Sequence, residues 1–290
     1  MADSAGFLDL EAAFTDPTRA AIHVIPVPYD KTSTYVKGAD RGPQAIIDAS
    51  AQVEWLDVQT GTEVHTRGIA TLEPIVEDGP PEGMSRRVEA AVGRSLDDRR
   101  FPVVLGGEHS VSIGAIRACA ARFDDLTVLQ IDAHADTRET YHASTHNHAC
   151  VMARARELCP IVQVGIRSLE ADELERLDHS RVAFAHEIRD TVGPWIDRVV
   201  ALLTPRTYVT IDLDGLDPSL VPATGTPEPG GLSWWQVDSL LQHVAASTEI
   251  VGFDVVELCP RPDQHASDFV AAKLVHRLLS LVFASREPTS

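Results

Sequence analysis

Seven short apolar runs, rich in β-branched residues, punctuate the chain at residues 21–27, 101–105, 126–131, 161–164, 182–185, 208–211 and 249–256. Most of them, FPVVL and LTVLQI for example, are apolar at nearly every position rather than at alternate ones. A strand with one face in water alternates, whereas a strand covered on both faces does not. The runs therefore call for a parallel sheet with helices above and below it. The intervals supply those helices: a 3.6-residue periodicity predicts them over 86–97, 111–122, 170–177, 192–203, 233–246 and 268–284. Ser233 stands where an N-cap is needed. Strand and helix alternate throughout, which selects an α/β fold built of βαβ units. No repeat, low-complexity tract or linker divides residues 1–290, so a single domain is expected.

Composition narrows the partners. The chain carries 25 Lys+Arg against 43 Asp+Glu, a net charge of −18. That acidity argues against a nucleic-acid ligand, which needs Lys/Arg density, and suits cations instead. With 44% apolar and 23% charged residues the chain has the make-up of a folded globule despite its net charge. No apolar run approaches the 18 or so residues that a membrane-spanning helix requires. The four cysteines include no CxxC pair, and the start, MADSAGFLDLEAAFTD, has neither the basic beginning nor the apolar centre of a signal peptide. Reduced thiols in a cytoplasmic protein are the expectation.

The unusual residues cluster where the strands end. After 101–105 comes GGEHS with His109; after 126–131 comes Asp132-Ala133-His134-Ala135-Asp136; after 208–211 comes Asp212-Leu213-Asp214. Ligands of open α/β sheets bind beyond the carboxyl ends of the strands. In extended chain, residues at i, i+2 and i+4 share a face, so Asp132, His134 and Asp136 can converge, as can Asp212 and Asp214. With His109 these make four carboxylates and two imidazoles. Four buried like charges cannot stay ionised without cations, and two divalent ions would balance them. Oxygen and imidazole donors without thiolate suit Mn²⁺. Such a pair of ions would generate hydroxide near neutral pH, leaving a departing group in need of a proton. The following stretch offers His142, His146 and His148 for that role, and spacing alone does not choose among them. Glu257, just past the last apolar run, suits a planar cation such as guanidinium. The Gly/Pro-rich loop 217–231 is long for an α/β connection, which points to function.

GGEHS, DAHAD, HNHACVM, TIDLDGLDPS, PATGTPEPGG and GFDVVEL, in that order, resemble the arginase/agmatinase (ureohydrolase) family, and PYDKTSTYVKGADRGPQAI is similar to its agmatinase branch. The resemblance spans residues 25–284. It implies a three-layer α/β/α arginase-like fold around a mostly parallel sheet, two Mn²⁺ per subunit, and hydrolysis of a guanidino compound to an amine and urea. By motif position, His109, Asp132, Asp136 and Asp212 would hold one ion and Asp132, His134, Asp212 and Asp214 the other, with Asp132 and Asp212 bridging. His148 would be the proton shuttle, Glu257 the guanidinium-binding carboxylate and Thr226 a substrate-site residue. Asn147 departs from the family's usual Ser or Asp before that histidine, and Glu108 stands where Asp is commoner. A homo-oligomer, trimer or hexamer, is implied as well.

Arginases carry Asn two residues after the third DAHAD ligand, where it helps hold the amino-acid carboxylate; here the position is Arg138. That counts against L-arginine; the overall resemblance favours agmatine as the expected substrate, with Glu139 or Asp172 as candidate countercharges for its amine. Guanidinobutyrate, aminopropylagmatine, arginine and formiminoglutamate are the alternatives within the family. A non-catalytic guanidino-binding homologue and a deacetylase-like amidase are the alternatives from other classes; the former would have lost a ligand, and the latter typically uses one metal.

Overall fold

The computed structural model describes residues 6–188 and 193–285. Among them the strands are β1 (Ile22–Val27), β2 (Leu56–Asp57), β3 (Thr62–Glu63), β4 (Ile69–Thr71), β5 (Phe101–Gly106), β6 (Leu126–Ile131), β7 (Ile161–Ile166), β8 (Val182–Phe184), β9 (Arg206–Asp212) and β10 (Glu249–Val256). Eight of them form one sheet in the order β4-β1-β5-β10-β9-β6-β7-β8, every pair parallel. Each apolar run is one of these strands. The apolar pattern does not reveal β4, whose three residues carry too little periodicity to be seen, or the two-residue strands β2 and β3, which pair as a separate antiparallel ribbon.

The principal helices are α1 (Gly42–Ser50), α2 (Pro81–Asp97), α3 (Ser112–Arg122), α4 (Val151–Ala155), α5 (Ala171–Arg176), α6 (Pro194–Ala201), α7 (Trp234–Ser247) and α8 (Ala266–Ser285). Helix α2 starts before the expected residue 86 because Pro81 is tolerated in a first turn, where the missing N–H has no partner to lose. Ser233 caps α7 as expected, accepting from the Gln236 backbone N–H. Residue 192, the expected start of the helix now seen as α6, lies outside the described residues.

Alternate positions of each strand enter different cores. Val103, Leu105, Leu129, Ile131, Val209 and Ile211 pack with α1, α6, α7 and α8. Val104, Val128 and Tyr208 face the opposite side with α2, α3 and α4. The result is the three-layer α/β/α arrangement, and it explains why both faces of the runs are apolar. No helix among the described residues is long and apolar enough to cross a membrane.

Candidate metal centre and its cleft

Four consecutive neighbours in the sheet, β5, β10, β9 and β6, deliver the site residues at their carboxyl ends. Close backbone approach makes this possible. A Cβ on Gly107 would sit 2.1 Å from the Tyr29 carbonyl oxygen, and one on Gly215 would come 2.8 Å from the Asp132 backbone nitrogen.

All six candidate ligands converge. His109 Nδ1 lies 2.9 Å from Asp136 Oδ2, 3.2 Å from Asp132 Oδ2 and 3.5 Å from Asp212 Oδ2. His134 Nδ1 lies 3.1 Å from Asp214 Oδ2 and 3.6 Å from Asp132 Oδ1. Donor atoms of His109, Asp132 and Asp212 fall within 4.8 Å of one another, as do those of Asp132, His134 and Asp214. Asp132 thus belongs to both groups, Asp212 to the first, and Asp136 meets that first group through His109.

The electrostatics are unbalanced. The four aspartates are buried, and among the described residues two imidazoles face them, with the Arg167 guanidinium close behind Asp214. Burial, with Asp214 and Asp132 alongside, pushes the Asp212 carboxyl well above the usual carboxylate range. Burial and the Asp132 charge push Asp136 to about 6. Burial would raise Asp132 too, yet the adjacent imidazoles of His109 and His134 hold it below the usual range. Burial also opposes charge on the histidines, but the aspartates override it, raising His109 well above its usual value and His134 to about 12. His109 Nδ1 is buried and makes no well-formed hydrogen bond, although three carboxylate oxygens surround it. A ring nitrogen aimed among carboxylates without bonding to any of them is how ligands sit around a shared cation. The donor set fits a divalent ion.

Polar residues inside the strands hold the ligands in place. His109 Nε2 meets Thr210 Oγ1 at 2.9 Å; that hydroxyl donates to Asp254 at 2.6 Å, and Tyr208 donates to the other Asp254 oxygen at 2.8 Å. Gln130 Nε2 donates to Asp132 Oδ2 at 2.6 Å, and Gln163 in turn donates to Gln130. Motif spacing passes over Thr210, Asp254, Gln130, Gln163 and Tyr208. Their signal is a polar side chain in an otherwise apolar strand, as in LTVLQI and IVQV.

Above the ligands opens a cleft of about 320 Å³ whose lining includes His148, Glu257, Thr226, Tyr35 and Tyr141. Glu257 Oε1 accepts from the His109 backbone N–H at 2.7 Å, and Thr226 donates to Asp214 at 3.2 Å. Glu257 and Asp136 both adopt the left-handed backbone conformation, at φ of 65° and 52°. Non-glycine residues rarely do so, and here the strain coincides with the site. Of the three candidate histidines only His148 lines the cleft. His146 is turned towards Glu82, 3.9 Å away, and His142 is exposed.

At the rim, Arg138 is 3.1 Å from Glu170 and 3.3 Å from Glu173, and its guanidinium lies 4.4 Å above the Tyr141 ring. The candidate countercharges fall elsewhere. Glu139 is taken up by Arg154 and Arg156, and Asp172 by Arg176 one helical turn on; neither lines the cleft. The rim carboxylates are Glu170 and Glu173, because Glu173 must turn inwards to cap α5 through the Glu170 backbone N–H.

Residues 20–280 match the Arginase family. The chain belongs to the arginase family. Among its relatives, the N(1)-aminopropylagmatine ureohydrolase of Synechocystis sp. is 37% identical over 284 residues, covering 94% of this chain and 92% of the relative. The enzyme of the same name from Thermus thermophilus is 38% identical over 266 residues, 90% of each chain. The crystal structure of agmatine ureohydrolase from Thermoplasma volcanium superposes with a TM-score of 0.85 at 32% identity, over 94% of this chain and 93% of that one. Arginase-family membership makes the chain a metal-dependent hydrolase of the ureohydrolase kind.

Proposed function

We propose that this arginase-family chain hydrolyses an amine-terminated guanidino compound, agmatine, to putrescine and urea. The rim carries the substrate choice. Arg138, where an arginase would have its carboxylate-binding Asn, is already committed to Glu170 and Glu173. Two carboxylates against one guanidinium leave the mouth negative, which welcomes an ammonium tail and disfavours a carboxylate. N(1)-aminopropylagmatine is the second reading, favoured by the names of the Synechocystis and Thermus relatives.

In this proposal His109, Asp132, His134, Asp136, Asp212 and Asp214 hold two Mn²⁺ ions. Bound there, such ions would supply charge balance and Lewis acidity that favours the ionisation of water near neutral pH. Glu257 receives the guanidinium. Burial and the nearby Glu108 push its carboxyl well above the usual range, and a planar cation pairing with both oxygens would restore the ionised form. Thr226 stands beside it in the cleft wall. Hydrolysis adds water at the guanidinium carbon and breaks the bond to the alkyl nitrogen, which leaves as an amine and takes a proton. His148 carries that proton. Burial and the neighbouring His134 and His109 lower its imidazole to about 4, so it is neutral and able to accept before it gives. The cysteines are unpaired, as suits a cytoplasmic protein, and Trp55, Leu56 and Val58 offer an exposed apolar face to a homo-oligomer.

Urea release by the Mn²⁺-loaded chain tests the proposal, with agmatine, N(1)-aminopropylagmatine, guanidinobutyrate and L-arginine compared by kcat/KM. The amine-terminated pair should lead the carboxylate-terminated pair by at least about tenfold, a difference of ~1.4 kcal/mol. A lead for the carboxylate-terminated pair would overturn the reading of the rim, and no urea from any of the four would overturn the substrate class.

A further inference from the structure

The loop that follows β1 makes an unexpected contact with the proton-carrying histidine. Glu108 is wholly buried and sits next to the ligand His109, yet its hydrogen bonds reach the loop after β1. Its Oε1 accepts from Thr32 Oγ1 at 2.7 Å and Ser110 Oγ at 2.5 Å, and its Oε2 accepts from the backbone N–H groups of Thr32 and Ser33, the latter at 2.7 Å. Four donors occupy the four lone-pair positions of one carboxylate. Neither backbone N–H can reverse its role, so the Glu108 side chain serves here as an acceptor.

Thr32 has one hydroxyl proton, and Glu108 takes it. The Thr32 oxygen is then left only with lone pairs. One accepts from the His148 backbone N–H at 3.0 Å, and the other faces His148 Nδ1 at 3.2 Å. A lone pair facing a ring nitrogen is satisfied only if that nitrogen bears hydrogen. We infer that Thr32, held by Glu108, is a positioning residue that fixes His148 as its Nδ1–H tautomer and leaves Nε2 as the acceptor towards the cleft. Among the described residues no side chain hydrogen-bonds Nε2, and the imidazole lines the cavity. The Tyr141 ring, edge-on with centroids 5.9 Å apart, restrains the imidazole from a second side.

The consequence is chemical. A histidine that collects a proton and returns it to a departing amine must do both at one nitrogen facing the reacting atoms. The opposite tautomer would offer N–H where a lone pair is required. This inference rests on His148 as the proton carrier, so its test must be able to fail separately from that reading. Thr32→Val keeps the shape and removes the hydroxyl; Thr32→Ser restores it. Two-bond ¹H–¹⁵N spectra of histidine-labelled, Mg²⁺-loaded full chain, with the His148 signal assigned by its absence in His148→Asn, read the tautomer directly. Kinetics of the Mn²⁺-loaded chain, with metal counted on the same samples, read the consequence.

The wild-type chain and Thr32→Ser should show His148 protonated at Nδ1. Thr32→Val should show a shift towards Nε2–H, with kcat lower by about a hundredfold, within the usual span of general acid–base contributions, while KM and bound metal stay within about twofold. The inference is overturned if wild-type His148 carries its proton on Nε2. It is overturned equally if Thr32→Val leaves the spectrum unchanged, whatever happens to the rate. If the spectra behave as expected and kcat does not move, Thr32 sets the tautomer but His148 is not the proton carrier. Absence of urea from every substrate would sink the functional reading while the spectra still decide the tautomer.

Discussion

The floor and the rim of the cleft are built differently. The floor takes its residues from the ends of four adjacent central strands; every aspartate in it is buried, and Asp132 and His109 are braced from within the sheet by Gln130 and Thr210. The rim is made by connections: residues 33–36, the stretch from Arg138 to His148, and the Ser168–Glu173 segment that opens α5. Floor charges are few-partnered and desolvated, so each one matters a great deal. Rim charges such as Glu170 are open to water and screened, so each matters little for chemistry and somewhat more for selection. Metal binding therefore belongs to the strand ends and substrate choice to the rim charges, while the loops lend the chemistry one group, His148.

That contrast can be broken by substitution. The largest effect is expected from Asp132→Asn, which removes the carboxylate common to both donor groups. Replacing residues behind a metal ligand costs about 10–100-fold in affinity or activity, and a shared ligand should exceed that; metal and urea release should vanish together. Next comes His148→Asn, for which kcat should fall by about 10²–10⁴ with metal retained. Retained kcat would move the proton to another carrier. Gln130→Leu strips a hydrogen bond from Asp132 without touching the cleft, and metal affinity measured by titration should weaken by about 10–100-fold. At the small end, Glu170→Gln should raise KM for agmatine about two- to fivefold, in line with an exposed charge worth under ~1 kcal/mol, and flatten the salt dependence of kcat/KM. If Glu170→Gln lowered kcat as strongly as Gln130→Leu lowers metal affinity, the division between floor and rim would be wrong.

The same division explains how much of the molecule is legible in its sequence. Floor residues follow strands directly, so their position after the apolar runs brings Asp132, His134 and Asp136 to one strand end, and the sheet order sets His109, Asp212 and Asp214 beside them. The left-handed turn at Asp136 and the tight turn at Asp214 go beyond what period-two spacing describes. Their braces are visible in principle, since Gln130 and Asp254 are polar interruptions of buried strands, but a lone buried polar residue has many explanations. The rim is illegible for a physical reason. Glu139 and Asp172 are plausible countercharges by proximity in sequence, yet each has an arginine nearer at hand, and the capping of α5 turns Glu173 inwards instead. Loop paths depend on such competitions, not on periodicity. The contact between Thr32 and His148 joins residues 116 positions apart and leaves no local trace. Likewise β4, with three residues, is a strand only because β1 offers it an edge.

The central claim is that the floor is a two-ion centre organised around Asp132. It is tested most directly by counting metal per chain after Mn²⁺ loading and removal of excess, for the wild-type protein and Asp132→Asn, with urea release measured on the same samples. Two ions per wild-type chain with turnover are expected, and loss of both ions and of turnover in the variant. A single ion in the fully active wild-type chain, or an Asp132→Asn protein that keeps two ions and its activity, would contradict that claim.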